Sequence, residues 1–202
     1  MNKSKLTLLL AALCLSGAAA AQESPWLVRV RVLQLEPANK SDPVGGAGAS
    51  DRLHVSNKTI PDVDVSYFFT PHWAAELVLT YPQKHRVTLD GADIGSFKHL
   101  PPTLTAQYHF LPGAQINPYL GAGVNYTLIS KVDLLGGAAS LEHDSVGLAL
   151  QAGFDVAIDK RWSFNVDVKK MQIRSDVIIA GASASRVKVD PLLFGVGLGY
   201  RF

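Results

Sequence analysis

The chain has 202 residues, with 19 lysines and arginines against 17 aspartates and glutamates and a formal charge of +2. Lys3 and Lys5 account for that surplus, so residues 22–202 carry 17 charges of each sign and offer no basic footprint for nucleic acid. The single cysteine, Cys14, lies in the first segment, which excludes disulfide stapling, cysteine nucleophiles and thiolate metal sites from everything after residue 21.

Residues 1–21 read as an export signal, with Lys3 and Lys5, an apolar run over 6–15, and small residues at 19–21 before Gln22. Ten apolar residues are half of the ~20 that a spanning helix needs. Leu13 before Cys14 argues against lipoprotein processing. The mature chain is expected to be one domain over 22–202. No later apolar run approaches the length of a spanning helix, so only a closed barrel would cross a bilayer.

From residue 26 onward, apolar residues recur with period two, the mark of strands with two different faces. In 26–33, Trp26, Val28, Val30 and Val32 share a side and Arg29 and Arg31 the other. In 62–69, Val63, Val65, Tyr67 and Phe69 face outward, with Asp62, Asp64 and Ser66 inward. Next come 73–81, with Leu77 and Leu79 out and Glu76 in, and 103–110, with Thr103, Thr105, Gln107 and His109 in. The fifth strand, 119–128, sets Leu120, Val124 and Leu128 against Gly121, Gly123 and Asn125. The sixth, 146–158, sets Leu148, Leu150 and Phe154 against Gly147, Gln151, Gly153 and Asp155, and the seventh begins at Trp162. The last, 192–202, places Phe194, Val196, Leu198, Tyr200 and Phe202 opposite Gly195, Gly197, Gly199 and Arg201. Glycines opposite a bulky apolar row suit a crowded barrel lumen with lipid outside, and fit a water-facing sheet poorly.

The expected fold is therefore all-β, an eight-stranded antiparallel up-and-down transmembrane barrel. Its connections alternate: 38–59, 82–102, 129–145 and 174–186 are long, whereas 70–72, 111–118 and 159–161 are short. Short periplasmic turns and long extracellular loops are the outer-membrane pattern, which would put both termini in the periplasm. Aromatics such as Trp26, Trp73, Trp162 and Tyr200 gather toward the short-turn side, where a headgroup girdle is expected. In the last hairpin Lys170, Gln172, Lys188 and Asp190 fall on the outward row. Either the strands have left the membrane there, or a bulge near Lys170 and Pro191 exchanges the faces and turns Met171, Ile173, Val187 and Val189 outward.

The strings P-D-V-D-V-S-Y-F-F-T-P-H-W-A-A-E-L (61–77), K-H (84–85), H-L-P-P-T-L-T-A-Q-Y-H-F (99–110) and P-Y-L-G-A-G-V-N-Y-T (118–127) resemble the OmpW family of outer-membrane proteins. The likeness extends through W-L-V-R-V-R at 26–31 and the terminal G-L-G-Y-R-F. It implies a barrel with a narrow apolar passage for small hydrophobic solutes, released sideways into the membrane because the periplasmic end is closed. It implies no enzymatic activity and no cofactor. Phe202 also resembles the carboxy-terminal signal read by the outer-membrane assembly machinery; an aromatic girdle residue is the simpler role, and the two are compatible.

Arg29 and Arg31 beside Asp62 and Asp64, with Glu76 one strand further, form the sharpest constellation. They are either a plug low in the lumen or a structural network neutralising buried charge. The six histidines do not form a helical zinc motif, and His54, His85, His99 and His143 are expected in loops or at strand mouths, solvated. Catalysis lacks a geometric case: Ser66 and His109 lie on non-adjacent strands, and Thr105 and His109 are about 13 Å apart along one strand. Gly45, Gly46 and Gly48, like Gly136 and Gly137, have no following Lys-Ser/Thr and read as mobile loop rather than phosphate loop. Leu53, Val55, Leu134, Leu135 and Leu141 are candidates for an apolar mouth. The functional expectation is a passive channel for small hydrophobic solutes in outer-membrane lipid; the alternative is a non-transporting structural, adhesion or receptor barrel.

Overall fold

The computed structural model describes residues 24–202, so the expected export signal lies outside the described residues. Fifteen strands form one continuous sheet: β1 (Trp26–Glu36), β2 (Lys40–Ser41), β3 (Leu53–Val55), β4 (Lys58–Phe68), β5 (Trp73–Leu79), β6 (Gln83–Leu89), β7 (Ala92–Leu100), β8 (Thr103–His109), β9 (Ile116–Leu134), β10 (Ala139–Leu141), β11 (Asp144–Ala157), β12 (Trp162–Met171), β13 (Arg174–Ile179), β14 (Ala182–Lys188) and β15 (Leu192–Arg201). Eight of them, β1, β4, β5, β8, β9, β11, β12 and β15, pair in antiparallel order and close on themselves through β9 and β11. Closure leaves no barrel edge unpaired, the condition for crossing lipid with strands.

The faces separate as the alternation requires. Val30, Val32, Leu104, Leu120, Leu148, Val196 and Leu198 are exposed on the outside, while Arg29, Arg31, Asp62, Asp64, Glu76 and Gln107 are buried within. Edge-to-face aromatic pairs, Trp26 with Tyr67, Trp73 with Tyr108 and Trp162 with Tyr200, ring the short-turn end with centroids 4.8–5.0 Å apart. The glycines of β15 answer the bulk of β1. Gly195, Gly197 and Gly199 lie opposite Leu33, Arg31 and Arg29, and a Cβ added at Gly197 would come within 2.6 Å of Arg31 Cγ. Room for two arginines in a narrow lumen is thus supplied by one neighbouring strand.

The long connections are not the mobile loops that their glycines suggest. β9 has 19 residues, where ~9–11 suffice to cross a bilayer, and its surplus length templates more sheet. β7, β6 and β3 pair outward from it on one side, and β10, β13, β14 and β2 on the other. The two wings meet where Ser41 N donates to Asp51 Oδ1 (2.9 Å), Asp51 N to Ser41 O (2.9 Å) and Val55 N to Asn39 Oδ1 (2.7 Å). Gly45, Gly46 and Gly48, with Gly136 and Gly137, take the positive φ of turns at the rim of this extension.

The last hairpin also departs from the bulge alternative. Met171, Ile173, Val187 and Val189 are buried, and Lys170 and Gln172 remain outward, so the phase persists and the strands have left the apolar belt. The register shift of this hairpin lies further on, between Val177 and Ile178.

Candidate functional site: a charged layer beneath an apolar chamber

The lumen is divided into levels. At the short-turn end, Leu27, Phe68 and Ala74 form a small apolar cluster, with the Arg201 guanidinium 4.2 Å above the Phe68 ring. A vestibule of about 470 Å³ opens there and reaches Asp155.

Next comes a layer of charge. The register sets Arg29 directly opposite Asp64 and Arg31 opposite Asp62. Arg29 Nη1 lies 3.1 Å from Asp64 and 3.5 Å from Glu76, and Arg29 Nη2 lies 2.8 Å from Asp155. Arg31 Nη2 lies 2.6 Å from Asp62 and 3.1 Å from Asp64. Lys169 Nζ donates to Glu76 Oε1 at 2.7 Å. Asp167 completes the layer 3.6 Å from Arg31 Nη1. Neutral side chains fill the rest: Gln107 Nε2 donates to Glu76 at 2.8 Å, Gln151 Nε2 to Asp167 at 2.5 Å, and Tyr119 Oη to Asp167 at 3.3 Å.

The structure therefore brings together all five residues of the sequence-derived constellation, Arg29, Arg31, Asp62, Asp64 and Glu76. It adds Asp155, Asp167 and Lys169, which lie outside that constellation. The missing signal was available: Val166 and Val168 point outward, so Asp167 and Lys169 must point inward. Five carboxylates then meet three cations. Burying such groups is tolerable only when each is paired, and removing one partner strands the rest.

Above the layer the interior turns apolar. Leu33, Leu35, Ile60, Met171 and Leu193 join a buried cluster that continues into the extension. The cluster encloses a chamber of about 50 Å³, where a single water needs ~10–15 Å³. Leu53, Val55, Leu134, Leu135 and Leu141 all line it. From sequence they group as an open mouth. Here four of them are buried and only Leu135 is exposed, because the two wings of sheet roof the chamber.

His54, His72 and His143 are exposed, but His85 and His99 are buried in β6 and β7, where they stack with ring centroids 4.7 Å apart and planes 8° from parallel. They are strand residues on the inner face, not solvated loop residues. His109 is buried as expected, and its ring nitrogens contact Gln107 (3.3 Å) and Asn117 (3.1 Å). Ser66 accepts from Arg29 Nη1 at 3.0 Å, and Thr105 donates to Gln151 at 3.2 Å. Each hydroxyl is thus bound within the polar network and not to His109.

The family model described as the OmpW family matches residues 22–202. This chain belongs to the OmpW family. The OmpW-family chain is 32% identical to outer membrane protein W of Escherichia coli over the full length of both chains. It is 43% identical to an uncharacterised outer-membrane protein of Sinorhizobium fredii, over 91% of this chain and 82% of that one. The crystal structure of the outer membrane protein OprG from Pseudomonas aeruginosa superposes with a TM-score of 0.78 at 29% identity, covering 90% of this chain and 98% of that chain. Membership places the protein in the outer membrane, and the family is one of outer-membrane barrels rather than a known family of enzymes. The exposed belt of valine, leucine and phenylalanine is then the surface covered by lipid.

Proposed function

We propose that this OmpW-family barrel is a narrow passive conduit for small hydrophobic molecules, entered from the cell exterior and left sideways through the barrel wall into the membrane. One observation carries the proposal: a roofed apolar chamber stands directly above a cross-section filled with paired charge. A hydrophobic solute gains free energy by leaving water for the chamber, whose apolar lining must part to admit more than the few carbons that about 50 Å³ holds. It gains nothing by displacing ion pairs below, which would leave buried charges uncompensated. Arg29, Arg31, Asp62, Asp64 and Glu76 then act as a plug against water and ions, and the exit is lateral.

The wall has an interruption at the right height. The ladder between β5 and β8 stops at Val78 opposite Thr103, and pairing resumes between β6 and β7 at Gln83 opposite His99. Pro82, Pro101 and Pro102 occupy the interval, and proline has no N–H to donate to a ladder. In this proposal the extension faces the exterior, both termini are periplasmic, and residues 1–21 are removed on export. Phe202 is read by the assembly machinery before it joins the girdle beside Tyr200, at a centroid distance of 5.1 Å.

The direct test is uptake of radiolabelled octane by cells lacking the protein. Uptake is expected to fall several-fold and to return with the wild-type chain. Undiminished uptake would sink the proposal and favour a structural, adhesion or receptor barrel.

A further inference from the structure

Three of the residues lining the apolar chamber are polar: His99, Ser175 and Ser185. The serines are committed to backbone, Ser175 Oγ donating to Glu142 O at 3.5 Å and Ser185 Oγ to Asp42 O at 2.8 Å. His99 is not. It is 1% exposed, and neither of its ring nitrogens has a hydrogen-bond partner in the protein.

Two neighbours share this condition. His85, stacked on His99, approaches Ser56 O with Nδ1 at 2.8 Å, so Nδ1 carries the proton, while Nε2 has no partner. Gln83 lies opposite His99 across β6 and β7 and is fully buried. Its Nε2 donates to Tyr81 O at 2.9 Å, and its Oε1 has no partner. Four buried polar atoms on three adjoining side chains are thus unsatisfied by the protein. Buried polar groups are nearly always bonded; the other unbonded atoms among the described residues, on Arg31, Asp62, Asp64 and Asn165, lie within the ion-pair layer, whereas these four lie outside it, so the cluster marks a place where another molecule supplies the bonds.

The chemistry of that molecule follows from the charge state. Burial pushes the His99 imidazole down to about 3, helped by His85 and Lys58. Burial also lowers His85, against the Ser56 carbonyl that raises it. Both rings are neutral at physiological pH, and a neutral imidazole presents one donor nitrogen and one acceptor nitrogen. The pair therefore offers both kinds of hydrogen bond without a net charge. A hydroxyl, itself donor and acceptor, matches it; an ammonium or carboxylate would be buried without a counter-ion.

We propose that Gln83, His85 and His99 form a polar station beside the apolar chamber that takes the hydroxyl of a hydrocarbon alcohol while the chamber takes its chain. The inference rests on the proposed conduit and narrows its solutes to oxygenated hydrocarbons before plain alkanes. The station also adjoins the interrupted wall, since Gln83 follows Pro82 and His99 lies two residues before Pro101.

The test uses the full barrel in lipid nanodiscs with ¹⁵N-labelled histidine, titrated with 1-octanol or with octane at equal mole fraction in lipid. The ring nitrogens of His85 and His99 are expected to shift with 1-octanol and not with octane. His99→Leu is expected to weaken the 1-octanol response of His85 at least tenfold, and His99→Gln, which keeps a donor and an acceptor, to retain it. Gln83→Leu serves as a second variant should His99→Leu fail to assemble, with a several-fold weakening expected. Equal shifts with both solutes, no shift with 1-octanol, or an unaltered response in the leucine variants would overturn the inference. Octane uptake by vesicles containing the same protein is measured separately, so failure of the conduit and failure of the station give different results.

Discussion

Arg29 is the residue on which the charged layer depends most. Its side chain is fully buried and lies within 3.5 Å of Asp64, Glu76 and Asp155, while also donating to Ser66. Arg29→Met keeps the length of the side chain but leaves five carboxylates with two cations, Arg31 and Lys169. Asp155 then has no cation within 4.0 Å among the described residues. Breaking a buried pair by removing one partner costs ~3–5 kcal/mol, which lowers the folding equilibrium constant by ~10²–10⁴. The Asp155 side chain is 11% exposed toward the vestibule, which sets the loss toward the low end, and because Asp64 keeps Arg31 and Glu76 keeps Lys169, most of it comes from Asp155. Adding Asp155→Asn removes one charge of each sign together, and the double variant is expected to recover ~2 kcal/mol of the loss. Reversible urea unfolding in phospholipid vesicles, followed by the fluorescence of Trp26, Trp73 and Trp162, measures both. A loss below ~1 kcal/mol for Arg29→Met, or a double variant no better than the single one, would refute the view that this layer is held by charge pairing.

Other substitutions probe other levels. Gly123→Ala is expected to block assembly, seen as loss of heat-modifiable mobility on gels, because its Cβ would run into the backbone oxygen of Leu104. Gly121→Ala, which meets only the flexible Gln151 side chain at about 3.0–3.3 Å and a backbone oxygen at 3.4 Å, is expected to fold. Pro102 faces β9, its carbonyl accepting from Tyr126 N at 3.0 Å, so replacing Pro101 with alanine restores the ladder donor on the interrupted side and is expected to reduce octane uptake several-fold without lowering stability; unchanged uptake would place the exit elsewhere. Phe202→Ser is expected to cut the amount of assembled barrel in cells while refolding in detergent proceeds normally. On the extension, Arg186 holds the Asp176 carboxyl below its ordinary range through a hydrogen bond from Nε at 2.5 Å. A depressed carboxylate adds stability above its unfolded pKa of ~3.9 and loses it as pH falls through the lower folded value. Amide protection of the β13–β14 hairpin is therefore expected to hold down to about pH 4 and to drop below it.

What the sequence revealed was set by solvent. In the belt, one face meets lipid and the other a packed polar lumen, so Val30, Arg31 and Val32 declare their sides without ambiguity, and the placing of Arg29 and Arg31 beside Asp62 and Asp64 follows from them, while their one-to-one register is seen only in the structure. Beyond the belt both signals weaken. Lys84, His85 and Arg86 alternate as well as any barrel strand, with His85 buried between two exposed cations. A wet outer face and a histidine on the inner one resemble loop composition, so from sequence the stretch 82–102 reads as connection. The roof over Leu53 and Leu141 was out of reach for another reason: it depends on the pairing of β2, β3, β10 and β13, short strands brought together from distant parts of the chain.

The absence of a phase break has its own consequence. Along β12, Val168 is outward and Lys169 inward; two residues on, Lys170 is outward and Met171 inward. Along β9 the same exchange falls between Thr127 and Leu128 on one side and Ile129 and Ser130 on the other. Along β1 it falls between Arg31 and Val32 on one side and Leu33 and Gln34 on the other. Each strand keeps its alternation through the exchange, β9 distorting only beyond it at Lys131, while the chemistry of the two faces is exchanged, apolar-out giving way to apolar-in. Lipid and charged lumen belong to the lower half, water and apolar chamber to the upper. An apolar compartment is thereby held just beyond the exposed belt, separated from lipid by a wall and from the lower lumen by paired charge. The proline-rich interval at 80–82 and 100–102 lies at the height of this exchange. A solute leaving there would pass from an apolar interior to the upper edge of an apolar exterior without crossing either the charged layer or the full height of the wall.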